Sequence, residues 1–469
     1  MATAEKKKFD FPVIQHAGEE ASNDVRERLV QVEPLALRTY TPSLAVLDKS
    51  AGSYHWTPEG RKLADFSSGV LVANLGHNPK RWWSRVIEYM GLEALKTAGE
   101  FVEAKTLTAY NAVTDLEVLA CERLLANMQA EPGGARMEQV MWSASGSEAI
   151  QKSLWAAMAR TPGRNMILAT RHGFHGKKGL AGAVTGSEQD KERDGRVRFL
   201  SLPREECIDL ERRRQPIDLA PYQAELDALW NECGEKICCL ITEPYLGGGG
   251  SYHPQPEYMQ MLQNFCRQHD VLLIFDEIQA NFGRTGPMYA FTQYGVEPDI
   301  VCLGKGLGNG IPVSAAVGRS DVFAALKYGE GSDTWSANPL ASAAVLATLD
   351  EFESADVIGQ GQRLSQVLEA GLVRLKDTGA VRHIRGEGCV WGVECQAVGE
   401  TSADDVANAC VEACYLGDEQ GRAIHLLGPL AGKVIRVSPP LTMPPDEARD
   451  YLDAMQGRFA AVVGRLRSK

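Results

Sequence analysis

Short apolar runs recur between residues 139 and 317, at 139–142, 166–169, 197–200, 237–242, 271–275, 300–303 and 313–317. The segments between them are polar or have helical spacing, as over 116–128, 147–159 and 259–267. Runs of this length carry apolar side chains on both faces, and parallel strands covered on both sides require that. The expected architecture is therefore α/β, with a mostly parallel sheet between layers of helices. An apolar helical stretch at 341–352 leads out of this unit. Beyond about residue 350 a second, smaller α/β unit is expected, with helices at 364–375 and 403–414, strands at 390–393 and 434–437, and a last helix from Asp446. Near the start, Tyr54-His55-Trp56-Thr57-Pro58-Glu59-Gly60-Arg61 reads as a small hairpin, and 67–77 as a glycine-punctuated loop. The 469 residues are too many for one simple core. The expected division is an N-terminal segment 1–80 that joins the small domain, a large domain 81–345 and a small domain 346–469.

The net charge of -12 argues against nucleic acid or an anionic membrane surface as the main partner. No run approaches the ~18 apolar residues of a membrane span. Residues 1–10 are polar and lysine-bearing, with no apolar stretch behind them. The 11 cysteines form no CxxC pair, and Cys410 and Cys414 share a helical face. Reduced, buried thiols in a cytoplasmic protein are the expectation.

The chemistry is carried by residues at the ends of the apolar runs. Lys305 is the only lysine between Lys236 and Lys327, and the run 301–303 delivers it into a glycine-rich loop. It lacks the preceding glycine spacing and the following Ser or Thr of a P-loop. Asp276 closes the run 271–275, where a carboxylate must find a cationic partner or shift its pKa. This pairing suggests a Schiff-base lysine and an acidic partner for a cofactor ring nitrogen. Ser145-Gly146-Ser147 opens a helix, whose first N–H groups have no internal partner, so they either bind an anion or form an ordinary serine cap. Phe174 lies in His172-Gly173-Phe174-His175-Gly176 and offers a flat face to a heteroaromatic ring. No metal is expected from the two histidines there, because no other ligand cluster supports one. Gly247 to Gly250 reads as a flexible loop beside a pocket, and Arg436, inside an apolar strand, as a group held by a carboxylate of protein or substrate.

Together these pieces resemble the class III pyridoxal-phosphate aminotransferases, the fold-type I branch with ornithine, acetylornithine and 4-aminobutyrate aminotransferases. The resemblance rests on Asp65-Phe66-Ser67-Ser68-Gly69, Asn74-Leu75-Gly76-His77, Ser145-Gly146-Ser147-Glu148-Ala149, Phe174-His175-Gly176, Glu243-Pro244, Phe275-Asp276-Glu277-Ile278-Gln279, Gly283-Arg284-Thr285-Gly286, Gly304-Lys305-Gly306, Thr334 with Asn338-Pro339-Leu340-Ala341, and Arg436 with Pro439-Pro440-Leu441. It implies a large domain with a mostly parallel, seven-stranded-type sheet and a smaller α/β domain built from both termini. It further implies that Lys305 forms the Schiff base with pyridoxal 5'-phosphate and that Asp276 keeps the ring nitrogen protonated. Phe174 and Ile278 would cover the two ring faces, Gln279 would contact the 3-oxygen, and Ser145, Gly146 and Ser147 would line the phosphate site. His175 and Glu243 belong to the same cofactor-binding set. Thr334 would reach the phosphate of a neighbouring subunit, which implies an obligate homodimer, or a dimer of dimers, with sites at the interface. Arg436 would grip the carboxylate of a keto acid, and Tyr40 would line the amine pocket.

Two departures bear on the substrate. Lys177-Lys178 stands where the family often has Arg-Thr, so Lys177 keeps the charge without the bidentate fork. Gly248 stands where a glutamate often masks the strand arginine. The expected activity is transfer of an amino group from an ω-amino acid, diamine or other primary amine to 2-oxoglutarate or pyruvate. The alternatives are a decarboxylating aminotransferase, an aminomutase or an amino-acid racemase of the same fold, or a non-catalytic homologue.

Overall fold

The computed structural model describes residues 13–96, 99–186, 194–429 and 431–468. The polar segment expected at the extreme N-terminus lies outside these residues, and the first described helix is Glu20–Val32. Strands β1 (Lys49–Ala51), β2 (Tyr54–Trp56) and β3 (Lys62–Asp65) follow, with β2 and β3 forming the expected hairpin.

The central sheet contains β4 (Gln139–Ser143), β5 (Met166–Thr170), β6 (Val197–Leu200), β7 (Ile237–Thr242), β8 (Leu272–Asp276), β9 (Ile300–Leu303) and β10 (Ser314–Gly318). Their spatial order is β4-β10-β9-β8-β7-β5-β6. Only β10 runs against its neighbours, pairing antiparallel with both β4 and β9. The other pairs are parallel, and β7 through β9 are buried along their whole length. The direction of β10 has a simple cause. The chain from the end of β9 to Ser314 contains only a short helical turn, Lys305–Gly308, and a parallel return would need a crossover of a dozen or more residues. Helices Gly146–Arg160, Pro256–Gln268 and Pro339–Ser354 contribute to the covering layers.

The C-terminal part adds β11 (Val381–Glu387), β12 (Val390–Cys395), β13 (Ala423–His425) and β14 (Val434–Val437), with helices Val357–Val373, Ala403–Leu416 and Pro445–Arg467. Strands β11, β12 and β14 form a three-stranded sheet. Strand β13 instead pairs in parallel with β3, so residues from both ends of the chain share the β1-β2-β3-β13 sheet.

The stretch 67–77 is more ordered than its glycines suggest. Ser68, Gly69, Val70 and Leu71 all have positive φ, from 49° to 69°, and form one left-handed turn. Left-handed geometry costs a non-glycine residue roughly 1–2 kcal/mol, so surrounding contacts must hold the turn. Asp65 Oδ1 accepts from the Ser67 and Ser68 N–H groups at 2.7 and 3.1 Å. The buried Arg284 guanidinium donates to Ser68 Oγ and Asn74 Oδ1 from one side. On the other side it donates to the Cys389 carbonyl at 2.9 Å and the Pro439 carbonyl at 2.6 Å. Arg284 thus ties the turn to the C-terminal strands. Replacing Arg284 by Ala is expected to cost about 3 kcal/mol or more in chemical denaturation, because several buried acceptors lose their donor together. A loss under about 1 kcal/mol would show that these acceptors find other partners.

Candidate active site

The chemistry-bearing residues collect along one edge of the central sheet. In parallel α/β sheets the carboxyl ends of the strands open onto the crevice where ligands bind. Here the ends of β4, β5, β7, β8 and β9 deliver, in turn, Ser145–Ser147, the Phe174-His175 loop, Glu243, Asp276 and Lys305. They surround a cavity of about 350 Å³, which is also lined by Val72, Ile278, Gln279, residues 310–313 and Ser314.

Asp276 is buried, and each of its oxygens has one partner. Oδ1 accepts from the Ile278 N–H at 3.0 Å, and Oδ2 meets His175 Nδ1 at 2.7 Å. The other ring nitrogen of His175 is buried and has no hydrogen-bond partner. Glu277 turns away from the cavity. Its two oxygens accept the N–H groups of Ala290 and Phe291, both at 2.7 Å, and burial pushes its carboxyl up to about 8.

Lys305 follows Gly304 with φ of +47°, an uncommon conformation for a side-chain-bearing residue. Asn281 holds the loop in place by donating to the Gly304 carbonyl at 3.1 Å. Burial lowers the Lys305 ammonium to about 8. Arg436 adds to the shift, while Asp276 and Glu243 oppose it. Two glycines make room for Ile278 at the cavity wall: a Cβ on Gly146 would lie 2.8 Å from its Cδ1, and one on Gly304 would lie 3.3 Å from its Cγ2. The helix Gly146–Arg160 presents its N-terminus here, with Ser145 capping it by accepting from the Glu148 N–H. The anion reading and the capping reading are therefore compatible: Ser145 caps the helix, and Gly146 and Ser147 of its first turn line the cavity.

Glu243 joins two neighbouring loops. Its oxygens accept from the Phe174 N–H at 2.8 Å and the Gly247 N–H at 3.2 Å, and burial pushes it up to about 7. The glycine run is packed rather than open. Added Cβ atoms would meet Gln279 Oε1 from Gly247, Phe174 Cβ from Gly248 and the His172 carbonyl from Gly249, all within 3 Å. Arg436 is buried and donates to the Gly247 carbonyl, its one hydrogen-bond acceptor among the described residues. Burial lowers its pKa, against the pull of Tyr245 and Glu243.

Four residues named from the sequence do not line this cavity: the buried Arg436, and three that are exposed. Lys177 is exposed and lines a more open cavity beyond Phe174, with Gln151, Trp155 and Arg196. Tyr40 is exposed and sits beside Asp405 and Asn408. Thr334 is exposed on a turn anchored by the 2.7 Å ion pair of Asp333 with Lys152. The sequence reading missed Val72, Ser314 and the 310–313 loop. Only the reversed direction of β10 brings Ser314 to the carboxyl edge, and nothing in its local pattern signals that.

Residues 36–458 match the model of the aminotransferase class-III family. The chain belongs to that family. It is 31% identical over 415 residues to 2-aminoadipate transaminase of Pseudomonas putida, covering 86% of this chain and 92% of that protein. It is 29% identical to an acetylornithine aminotransferase of Agrobacterium fabrum, covering 89% of this chain and 94% of the relative. A PLP-bound amine transaminase from an uncultivated Pseudomonas species superposes with a TM-score of 0.74 at 25% identity, covering 93% of this chain and 97% of that one. The chain is a fold-type I, pyridoxal-phosphate-dependent aminotransferase. Its cavity suits that cofactor: a lysine of lowered pKa, a buried carboxylate in its wall, a helix N-terminus for a phosphate, and the apolar side chains of Phe174 and Ile278.

Because the Lys305 amine must be neutral to attack an aldehyde, uptake of pyridoxal phosphate by this aminotransferase's apoprotein should depend on pH. The rate of appearance of the visible cofactor band should rise with pH with a midpoint at about 8. A midpoint near the ordinary lysine value of 10.5 would contradict the burial of this amine.

Proposed function

We propose that this aminotransferase moves an amino group from an ω-amino acid, diamine or other primary amine to a keto acid such as 2-oxoglutarate or pyruvate. The supporting observation is the convergence of Lys305, Asp276 and the Gly146 helix N-terminus on one cavity, with Arg436 close enough to depress the lysine pKa.

Pyridoxal phosphate, when bound, supplies an aldehyde that condenses with amines and a ring that accepts the electron pair left by a departing Cα proton. Asp276 would stabilise a protonated ring nitrogen, and His175 would keep that carboxylate aimed and hydrogen-bonded. Gly146 and Ser147 would hold the phosphate through backbone N–H groups and a hydroxyl. Phe174 and Ile278 would confine the ring between them, and Gln279 would donate to its oxygen. Lys305 would carry the proton from the substrate carbon to C4′ of the cofactor. A pKa of about 8 suits it to act as both base and acid near neutral pH.

Arg436 would bind the carboxylate of the keto acid. Among the described residues its guanidinium hydrogen-bonds only to a carbonyl, so a substrate carboxylate would gain a charge-assisted partner without displacing a protein hydrogen bond to a carboxylate. Lys177, outside the inner cavity, would attract a distal anionic group, and Tyr40 would line the amine pocket only if a second subunit brought it there.

We further infer a homodimer in which Thr334 reaches the neighbour's phosphate. Large apolar side chains stand exposed beside it, Trp335 and Tyr328 among them, and others recur along 95–113 at Leu95, Phe101, Leu107, Tyr110 and Val113. Covering such a surface is the expected role of a second copy. A reducing, cytoplasmic compartment fits the eleven free cysteines, of which ten are buried. No helix among the described residues is long and apolar enough to cross a membrane.

Replacing Lys305 by Ala should abolish transamination while leaving the fold intact by circular dichroism; substantial residual turnover would remove Lys305 from its role. Arg436→Ala should raise KM for the keto acid by about 100-fold, the loss of a charge-assisted pair, and change KM for a carboxylate-free amine little. Equal effects on both would refute carboxylate binding at this arginine. Light scattering should give twice the 51.1 kDa chain mass, or four times, and a monomer would contradict the shared site. A panel of amines with each acceptor, scored for carbonyl product and acceptor consumption, names the donor.

A further inference from the structure

One face of the β1-β2-β3-β13 sheet carries a cluster that amino transfer does not use. Asp65 ends β3, and His425 ends β13 directly opposite it in parallel register. His55 lies in β2 opposite Leu63, two residues before Asp65. The two-residue period of strands puts all three side chains on the same face. One ligand-capable atom from each lies within 4.8 Å of the other two. His77 approaches from the following loop, with Nε2 2.6 Å from Asp65 Oδ2.

The hydrogen bonds show which atoms remain uncommitted. Asp65 Oδ1 is occupied by the Ser67 N–H, the Ser67 hydroxyl at 2.6 Å and the Ser68 N–H. His55 Nδ1 lies 2.6 Å from Ser50 Oγ. A proton on Nδ1 donated to Ser50 leaves a lone pair on Nε2. That Nε2 is buried, has no hydrogen-bond partner and faces Asp65 Oδ2 at 3.4 Å. His425 Nδ1 is likewise buried without a partner. Native structures rarely leave buried polar atoms unpaired. In the tautomer with the proton on Nδ1 the lone pair faces a carboxylate oxygen and positive charge between them relieves the repulsion; in the other tautomer the Nε2 proton itself points at Asp65. The 3.4 Å spacing matches two ligands of a tetrahedral ion whose bonds are ~2.0–2.1 Å long.

We propose that His55 Nε2, Asp65 Oδ2 and His425 Nδ1 bind one zinc-class divalent ion, leaving a fourth position towards the His77 loop. Imidazole with carboxylate is a ligand set that zinc takes readily. Ser50 orients His55 from outside, and His77 orients Asp65. The ion pins strands from the two ends of the chain to each other. Through Asp65 Oδ1 it also fixes the entry to the left-handed turn that leads to Val72 in the cofactor cavity.

The test uses the pyridoxal-phosphate-loaded enzyme, dialysed against a chelator and titrated with zinc chloride by calorimetry. One equivalent per chain should bind and raise the Tm. His55→Gln and His425→Gln should each weaken binding by at least ~100-fold, and Ser50→Ala by about 10-fold. Cobalt(II) in the wild-type site should give visible ligand-field bands without sulfur-to-metal charge transfer, which separates this site from the eleven thiols. Absence of saturable uptake, thiolate bands with cobalt, or uptake unchanged in both histidine variants would overturn the proposal. Should the variants fail to fold, the wild-type stoichiometry and cobalt spectrum decide it alone.

Discussion

The contact between His175 and Asp276 is the constraint around which the rest of the site is organised. A carboxylate at the end of a fully buried strand is stable only if its oxygens are satisfied. One oxygen takes the Ile278 N–H and the other the His175 ring. His175 must therefore reach across from the loop after β5. Thr185 holds it there, accepting the His175 N–H at 3.0 Å while its hydroxyl donates to the Gly176 carbonyl at 2.8 Å. Glu243, on the strand between, binds the same loop through Phe174. Two buried carboxylates thus clamp three neighbouring carboxyl-edge loops around the cavity of about 350 Å³.

The substrate side follows from what is missing. Gly248 brings no side chain to the neighbourhood of Arg436. The space is taken by Phe174, which a Cβ on Gly248 would approach to 2.9 Å. The same glycine run lets the Gly247 carbonyl come up to Arg436. Arg436 is therefore held by a neutral acceptor, and its binding of an anionic substrate group belongs to the proposed function. Discrimination between donors is proposed to fall to residues beyond Phe174, where Lys177 lines a more open cavity.

The sequence made much of this readable, for physical reasons. Strands β7, β8 and β9 are uniformly apolar because both faces are buried, so their ends, and with them Glu243, Asp276 and Lys305, could be located directly. The class and cofactor followed from the order of the motifs. The left-handed turn at Ser68–Leu71 could not be foreseen, since it contains Val70 and Leu71, residues that avoid positive φ unless tertiary contacts impose it. The pairing of β13 with β3 was equally hidden: three residues, Ala423–His425, carry no periodic signal and gain their strand geometry from a partner at the other end of the chain. Tyr40 and Thr334 illustrate a different limit. Their motifs are legible, but in a single chain both side chains face solvent, away from the cavity.

The central claim is that the lysine after β9 is the group that carries the cofactor. Borohydride reduction of the pyridoxal-phosphate-loaded enzyme, followed by proteolysis and peptide mapping, tests it most directly. The phosphopyridoxyl label should be found on Lys305 at one per chain. Label on another lysine, or a reduced protein that carries none, would contradict the account.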